Sequence, residues 1–260
     1  MAERQKIGRL HLGLTLCVVV LLCACSTQAL QGEAYHWGWY IFNPLQDKGA
    51  SNLKFLLGGL SDTVLVSLCA ILGSVLLGLL VALAGLSRQR WLKVFNRGYV
   101  EVFRAIPLLV LLLWLFYGLP VIVGVQLGVF ATGVLAMSLS DSAFEAEIFR
   151  AGIQSVPHGQ LEAARALGLP WGLQMRLVVL PQAIKAILPA LGNQLVYVLK
   201  MSSLISVIGL AELTRKANEL NVNEYRPLEI YSLLVLEYLM LILLVSYLVR
   251  RMERRLATPH

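Results

Sequence analysis

Between two long apolar runs, the chain carries the polar stretch RAGIQSVPHGQLEAARALGLPW, residues 150–171. Pro157 and Gly159 are expected to break the helix that precedes them, because proline lacks a backbone donor and glycine adds backbone freedom. Residues 161–167 are rich in Ala, Leu, Glu and Arg, which is the composition of a good helix former. The stretch therefore predicts that the preceding helix ends near Pro157 and that a separate short helix follows.

A turn and a second helix follow this short helix. Gly168 can adopt the left-handed conformation that ends a helix, and Pro170 suits the opening of the next one. Glu162 and Arg165 are three residues apart and can pair on one face. The sequence thus predicts a helix, a sharp turn and another helix that ends at Pro181.

The same stretch resembles the EAA loop of ABC-importer permease subunits. The resemblance implies a role in coupling to an ATPase for Glu162, Ala163, Ala164, Gly168, Leu180 and Pro181. Val178 stands where the family more often has Ile. The longer run VPHGQLEAARALGL, residues 156–169, is similar to the branch that serves polar amino acids: histidine, glutamate, glutamine, arginine and opines. The resemblance covers roughly residues 55 to 250.

The fold that this resemblance implies is an all-α polytopic membrane protein. It would have about six transmembrane helices, in the type I ABC importer permease fold with a MetI-like core. We expect residues 1–55 to form a first transmembrane helix and an external aromatic-rich segment. Residues 56–255 would form the permease domain, with the cytoplasmic coupling loop at about 150–183.

The composition independently excludes an ordinary soluble protein. Of the 260 residues, 58% are hydrophobic and 14% are charged, and the mean hydropathy is +0.72. A soluble core of this size has no room for so much apolar side chain, whereas runs of ~20 apolar residues match the thickness of a bilayer. The cysteines lie in apolar segments without the spacing of a zinc site, and we interpret them as small buried hydrophobes: Cys17, Cys23, Cys25 and Cys69.

Six apolar segments predict six transmembrane helices. Their approximate bounds are 10–30, 62–86, 99–123, 129–149, 184–210 and 229–249. We expect the third helix to end or kink at Leu119-Pro120 and the fifth to bend at Pro189. The second helix carries glycines that permit close helix contacts, namely Gly73, Gly78 and Gly85.

The distribution of Lys and Arg predicts the orientation. If these six segments cross the membrane in alternating directions, 15 of the 22 Lys and Arg residues lie on the cytoplasmic side. They include those of the basic turn 87–97 and the final arginines at 250–255. Five lie outside, some of them in the polar segment 211–228, and Arg104 and Lys200 fall in or near spans. The net charge of +7 therefore reflects topology rather than affinity for nucleic acid, and both termini are expected in the cytoplasm.

The N-terminal segment allows two interpretations. Three cations followed by apolar residues 10–30 have the charge pattern of a secretory signal, and Leu22-Cys-Ala-Cys25 is similar to a lipoprotein cleavage site. The apolar run is long enough to span the bilayer and further spans follow, so we favour an uncleaved first helix. The aromatic residues between 31 and 55 fit an interfacial belt better than a base-stacking surface.

Two charged residues lie near the start of the third apolar segment. The run VEVFRAIPLL, residues 100–109, resembles an ELFRGTP run of the same family, with Ala105 and Ile106 in place of the usual Gly and Thr. Glu101 and Arg104 either line or gate the translocation path, or form an interfacial pair that reaches the cytoplasmic surface. The sequence leaves both interpretations open.

The fourth apolar segment has the densest group of charges. Glu147 and Arg150 belong to the run AEIFR, residues 146–150, which resembles a family pattern, and we expect them to pair at their three-residue spacing. Asp141 and Glu145 depart from that pattern and lie four apart on one face. They either line the substrate path and favour a cationic group, or belong to a water-exposed cytoplasmic helix end.

A polar run also interrupts the fifth apolar segment. Residues 199–204, LKMSSL, resemble the Lys-x-Ser/Thr-Ser-Leu run of the family. Lys200, Ser202, Ser203 and Ser206 would supply polar contacts within the membrane, or the serines are small residues at helix contacts. We favour packing for the serines and leave the role of Lys200 open.

Catalytic signatures are absent from the sequence. It contains no Gly-x-x-x-x-Gly-Lys-Ser/Thr phosphate loop and no His-Glu-x-x-His motif, and its histidines are scattered at positions 11, 36, 158 and 260. We therefore expect no enzyme activity, no metal site and no cofactor in this chain. The resemblance places ATP and Mg²⁺ on a partner subunit.

The function implied by the resemblance is that of a permease subunit of an ATP-driven amino acid importer in the bacterial cytoplasmic membrane. Its implied partners are two copies of an ATP-binding subunit, a second permease that is identical or homologous, an extracytoplasmic amino-acid-binding protein and membrane lipid, with no nucleic acid. A stand-alone secondary transporter is the alternative, although the sequence lacks visible inverted repeats. A scaffold whose loop recruits a soluble partner is the third hypothesis.

Overall fold

The computed structural model describes residues 35–256, and the predicted first helix at 10–30 lies outside the described residues. The described part is helical and contains no β-strand. Its α-helices are α1 Asp47–Leu57, α2 Gly59–Leu86, α3 Arg90–Ala105, α4 Leu108–Leu113, α5 Leu119–Val123, α6 Val129–Gln154, α7 His158–Ala166, α8 Trp171–Gln174, α9 Leu180–Met201, α10 Leu213–Glu224 and α11 Pro227–Leu256. Two single π turns, Trp114–Gly118 and Met175–Val179, join α4 to α5 and α8 to α9.

The chain divides into two units, residues 1–41 and 42–260. The described part of the first unit holds an aromatic cluster. The rings of Trp37 and Trp39 stack with centroids 5.6 Å apart, and Tyr35 meets Trp37 edge-on at 5.5 Å. An interfacial role for these rings stays a prediction, as does the domain division at residue 55.

The second unit is built around the contact between α2 and α6. Small residues of α2 let the two backbones approach closely, as expected inside a membrane bundle. A Cβ atom at Gly78 would lie 2.8 Å from the Cβ of Glu145 and 2.9 Å from the backbone oxygen of Ser142. Gly73 packs equally closely on α6, and Gly85 packs on α3. The predicted close contacts at these glycines are confirmed.

Three helical runs in the described residues are long and apolar enough to cross a membrane: Asp47–Leu86, Trp171–Ile208 and Pro227–Arg255. A fourth is added if the bent pair Arg90–Ala105 and Leu108–Val123 forms one span. Helix α6 begins at Val129 as predicted and has the length of a span, but its sequence is less apolar. Most of its polar residues up to Glu145 are buried against the neighbouring helices, so they need no contact with lipid.

The prediction for the third apolar segment was wrong in two respects. Helix α3 begins at Arg90, so most of the predicted basic turn at 87–97 is helical. The chain then bends by 97° at Pro107, not at Pro120. Proline disfavours the helical conformation of the residue before it, and Ile106 is extended with ψ 122°. Pro120 lies in the first turn of α5, where a proline is tolerated.

The helix after the coupling turn also differs from its prediction. It does not end at Pro181 but continues through the π turn Met175–Val179 into α9, so that residues 171–208 form one helical run. Pro181 lies just after the π turn, at the start of α9. The polar segment 211–228, expected only as an external connection, contains helix α10.

Candidate functional site

The coupling loop, residues 150–183, has a well-defined turn. Helix α7 begins at His158, so Gly159 lies in its first turn and breaks nothing. At the other end Gly168 has φ +72°, as predicted. The N–H of Gly168 donates to the carbonyl of Arg165 at 2.9 Å, and the N–H of Leu169 donates to that of Ala164 at 3.2 Å. This pair of bonds is a Schellman motif, which requires a left-handed residue at the position of Gly168.

The two faces of α7 differ in exposure. Glu162 and Ala163 are exposed, whereas Ala164 is buried against the rest of the loop. The expected Glu162–Arg165 ion pair is not formed in the described part of the chain. Arg165 lines a cleft of about 520 Å³ under the helix instead, together with Trp171. The outward face of α7 is therefore available for contact with another protein.

Leu180 and Pro181, the last members of the predicted coupling set, do not belong to α7. They lie at the start of α9, immediately after the π turn. Gln174 fixes the intervening segment, because its side-chain amide donates to the carbonyl of Leu169 at 2.5 Å. The loop is thus continuous with a membrane-spanning helix.

A buried polar cluster joins three helices deep in the bundle. Asp141 and Glu145 of α6 are only 4% and 0% exposed. Ser74 Oγ of α2 lies 3.3 Å from Asp141 Oδ2 and 3.0 Å from Glu145 Oε1. The side-chain amide of Gln194, on α9, donates to Asp141 Oδ1. The interpretation of Asp141 and Glu145 as a water-exposed helix end is therefore wrong.

This cluster contains an unsatisfied acceptor. Glu145 Oε2 is buried and has no hydrogen-bond partner among the described residues. Buried carboxylate oxygens without a partner are costly, so they often mark a site that a ligand or water completes. Sequence analysis missed Ser74 and Gln194, because each looks like an ordinary polar residue in an apolar helix.

A second group of charges lines a cavity of about 730 Å³ between α3 and α6. Its charged residues are Lys93, Arg97, Glu101, Arg104, Glu147 and Arg150. Arg150 pairs with Glu147 at 2.6 Å, as predicted. Glu101 lies 3.9 Å from Arg97 rather than pairing with Arg104. The structure therefore places Glu101, Arg104 and Glu147 together, apart from Asp141 and Glu145.

Lys200 and Ser203 belong to neither group. They line a separate cleft of about 410 Å³ beside α11. Each serine hydroxyl of this segment donates to a carbonyl of its own helix, as in Ser203 to Lys200 at 2.9 Å and Ser202 to Leu199 at 2.8 Å. These bonds fit the packing role favoured for the serines. Lys200 forms no ion pair within the described residues.

Glu212 is a structural residue that sequence analysis missed. It is fully buried and caps α10, accepting a hydrogen bond from the N–H of Arg215 at 2.8 Å. The hydroxyl of Tyr238 also donates to it, at 2.8 Å, and so ties α10 to α11. Burial raises the pKa of the Glu212 carboxyl above its ordinary value. An acidic residue directly before a helix was the available sequence signal.

With this geometry established, the comparison with known families is decisive. Residues 74–258 match the model of the family described as binding-protein-dependent transport system inner membrane component. The chain belongs to this family. The permease fold is that of type I ABC importers, with a MetI-like core, and the permease is an integral inner-membrane protein.

Individual relatives of the permease extend over most of its length. It is 34% identical over 204 residues to the putative glutamine transport system permease protein GlnP of Rickettsia felis, covering 78% of this chain and 94% of that one. It is 36% identical over 207 residues to the arginine transport system permease protein ArtQ of Bacillus subtilis, covering 78% and 93%. A crystal structure described as an amino acid ABC transporter with histidines shares 42% identity and a TM-score of 0.76, covering 79% of this chain and 96% of that one.

Proposed function

We propose that this permease forms the translocation path of an ATP-driven importer of a polar amino acid. Its relatives are named for the transport of glutamine and of arginine, and a similar solved structure is described with histidines. The observation that carries the coupling role is the exposed helix α7, closed by the Schellman turn at Gly168. Family membership favours this importer over a stand-alone secondary transporter.

In this proposal the permease hydrolyses nothing itself. A separate ATP-binding subunit, present in two copies, holds ATP and Mg²⁺. Helix α7 docks into a groove of that subunit through the face that carries Glu162 and Ala163, a helix-in-groove contact. ATP can change the state of the bundle only if the ATPase binds the inward and outward states with different affinity. A short helix joined by one Schellman turn to the helical run 171–208, which contains α9, suits that transmission.

The translocation path is proposed to include the buried Asp141–Glu145 cluster. Two carboxylates in a bundle interior favour a cationic group, such as the side chain of arginine or the α-ammonium group of any amino acid. Glu101, Arg104 and Glu147 remain candidates for a gate, because they line one cavity. Lys200 and Ser203 remain candidates for a separate contact.

The assembly that we propose has a second permease, identical or homologous, and an extracytoplasmic protein that delivers the amino acid. The chain crosses the bacterial cytoplasmic membrane several times, with the coupling loop and both termini in the cytoplasm. The cation distribution of the sequence supports this orientation.

Reconstitution tests the function directly. The permease and its ATPase subunits are placed in liposomes with the binding protein, and uptake of labelled arginine, glutamine, histidine and glutamate is measured. We expect uptake that requires ATP hydrolysis and persists without an ion gradient. Uptake driven by a gradient alone would support the secondary transporter, and no uptake of any amino acid by an assembled complex would contradict the proposal.

One variant addresses the docking face in the same system. Glu162→Lys reverses a charge on the exposed side of α7, where the new side chain stays in solvent and should not disturb the fold. We expect it to lower co-purification of the ATPase subunit, while Asp47→Lys, at an exposed position in the first turn of α1, leaves co-purification unchanged.

A further inference from the structure

Helix α3 has three different faces. One face packs on the bundle, where the side chain of Asn96 donates to the carbonyl of Val81 at 2.8 Å. A second carries Lys93, Arg97 and Arg104, which are spaced by four and seven residues and line the 730 Å³ cavity. A third, apolar face is exposed, with the same four and seven spacing at Trp91, Phe95 and Val102. The basic stripe, formed by Lys93, Arg97 and Arg104, therefore lies between the face of α3 that packs on the bundle and its exposed apolar face.

The apolar face of α3 is strongly exposed. Trp91 is 67%, Val94 71% and Phe95 54% accessible. Large apolar side chains beside a basic stripe are typical of helices that lie against lipid headgroups, where the rings enter the acyl region and the cations stay at the surface.

The cations of the cavity are only partly neutralised. Arg150 is paired with Glu147 at 2.6 Å. Arg97 and Glu101 are 3.9 Å apart and both largely exposed, so water and salt screen their attraction. Lys93 forms no ion pair within the described residues. The cavity therefore carries an excess of positive charge that an anion would offset.

Arg104 is held in place by an aromatic ring. Its guanidinium carbon lies 5.0 Å from the centre of the Phe144 ring, a cation–π contact that fixes its position without removing its charge. It forms no ion pair in the part of the chain that the structure describes.

The beginning of α3 adds to this positive charge. Its N-cap residue Gln89 makes no capping hydrogen bond through its side chain, and the first turn contains no acidic residue. Instead Arg88, Arg90 and Lys93 surround the positive end of the helix dipole, an arrangement that is unfavourable without a nearby anion. Arg88 and Arg90 are not part of the cavity lining, so the start of the helix adds positive charge of its own and points to the same kind of ligand.

We propose that the basic stripe of α3 and the cavity beside it bind the phosphate-bearing headgroup of an anionic phospholipid. Lys93 and Arg97, about one turn apart, contact the phosphate, Arg104 adds positive charge in the same cavity, and Trp91 and Phe95 lie among the acyl chains. A lipid is favoured over a soluble anion because the cations and the exposed apolar side chains share one helix. The proposal does not depend on which amino acid the permease carries.

The test is a lipid titration of the assembled transporter in detergent, followed by native mass spectrometry with phosphatidylglycerol and phosphatidylcholine. We expect tighter binding of phosphatidylglycerol, which excess inorganic phosphate does not displace. Lys93→Gln should weaken it about fivefold, and Lys93→Gln combined with Arg97→Gln about 25-fold, since each cation near an anionic lipid surface contributes about that factor.

The matched control removes two cations elsewhere. Arg254 and Arg255 are exposed in the last turn of α11, and their replacement by Gln should leave binding within about twofold of the unchanged protein. Trp91→Ala should weaken phosphatidylglycerol binding without changing the net charge. Equal loss in the control pair, equal affinity for the two lipids, displacement by phosphate, or no bound lipid because a second permease covers α3 would each overturn the proposal.

Discussion

At Gly168 the backbone takes a φ of +72°, and two N–H groups of the turn close the end of α7. No heavy atom lies within 4 Å of the place where a Cβ would stand. A Cβ atom at this position would therefore meet no steric clash with its surroundings. Its cost would come from the left-handed backbone alone, which β-branched residues adopt least readily.

Gly168→Val should uncouple ATP hydrolysis from uptake while the permease still inserts in the membrane. The backbone strain is about 1–2 kcal/mol, enough to disturb the Schellman turn. Uptake per ATP hydrolysed is the measurement. The control is Gly172→Val, which also points into open space but has an ordinary backbone conformation. Full transport by Gly168→Val would refute the role assigned to the turn.

Asp141 and Glu145 carry the prediction about substrate charge. Replacing them together, as Asp141→Asn with Glu145→Gln, keeps the side-chain size but removes both buried charges. If they contact a cationic group, uptake of arginine relative to glutamate should fall about 10-fold or more, because a hydrogen bond to a charged group is worth about 1.5–3 kcal/mol. Asp47→Asn, at an exposed position in the first turn of α1, is the control. An unchanged preference would remove both residues from the path.

At the scale of elements, the pair α2 and α6 holds the bundle together. Gly78→Ala places a methyl group 2.8 Å from the Cβ of Glu145 and 2.9 Å from a backbone oxygen, which forces the two helices apart. We expect a loss of about 1–3 kcal/mol and a lower midpoint of thermal unfolding in detergent. Gly98→Ala on α3 meets no atom within 4 Å and should be neutral or stabilising. Equal stability of both variants would contradict the close packing.

The sequence predicted which elements exist better than where they bend. Apolar runs and glycines indicated α2, α6 and α11, since length and side-chain size are local properties. The bend at Pro107 could not be separated from one at Pro120, because both positions combine proline with apolar neighbours. What decides between them is whether the preceding residue can stay helical, and the contacts of the folded bundle set that.

For the candidate site too, the sequence predicted local features but not contacts between helices. The sequence predicted the left-handed turn at Gly168, because that turn depends only on residues close together in the chain. The coupling role of Glu162 stays a prediction. The environment of Asp141 could not be derived, because its partners come from other helices: Ser74, 67 residues away, and Gln194, 53 residues away. Local spacing is compatible with either a buried or an exposed pair, and only the packing of three helices selects one.

At the scale of the whole molecule, the proposed topology places the coupling loop and α10 on opposite sides of the membrane. In a variant without the native cysteines, Gln160→Cys on α7 should react with an impermeant thiol reagent only from the cytoplasmic side. Asn223→Cys, at the exposed end of α10, should react only from outside. Labelling of both positions from the same side would contradict the proposed membrane topology and therefore the proposed coupling mechanism.

The π turn at Met175–Val179 separates the coupling loop from the membrane-spanning part of the same helical run. A π turn holds one residue more than an α turn, and each residue of an α-helix turns the chain by about 100°. Deleting one residue there would restore an ordinary α turn and change the relative rotation of the two helix segments only a little, whereas deleting one residue from a regular part of α9 would rotate Glu162 around the helix axis by about that angle. After the second deletion the loop would keep all of its side chains but present a different face to the proposed ATPase subunit, so we expect transport to depend on the rotation of the loop as well as on its sequence.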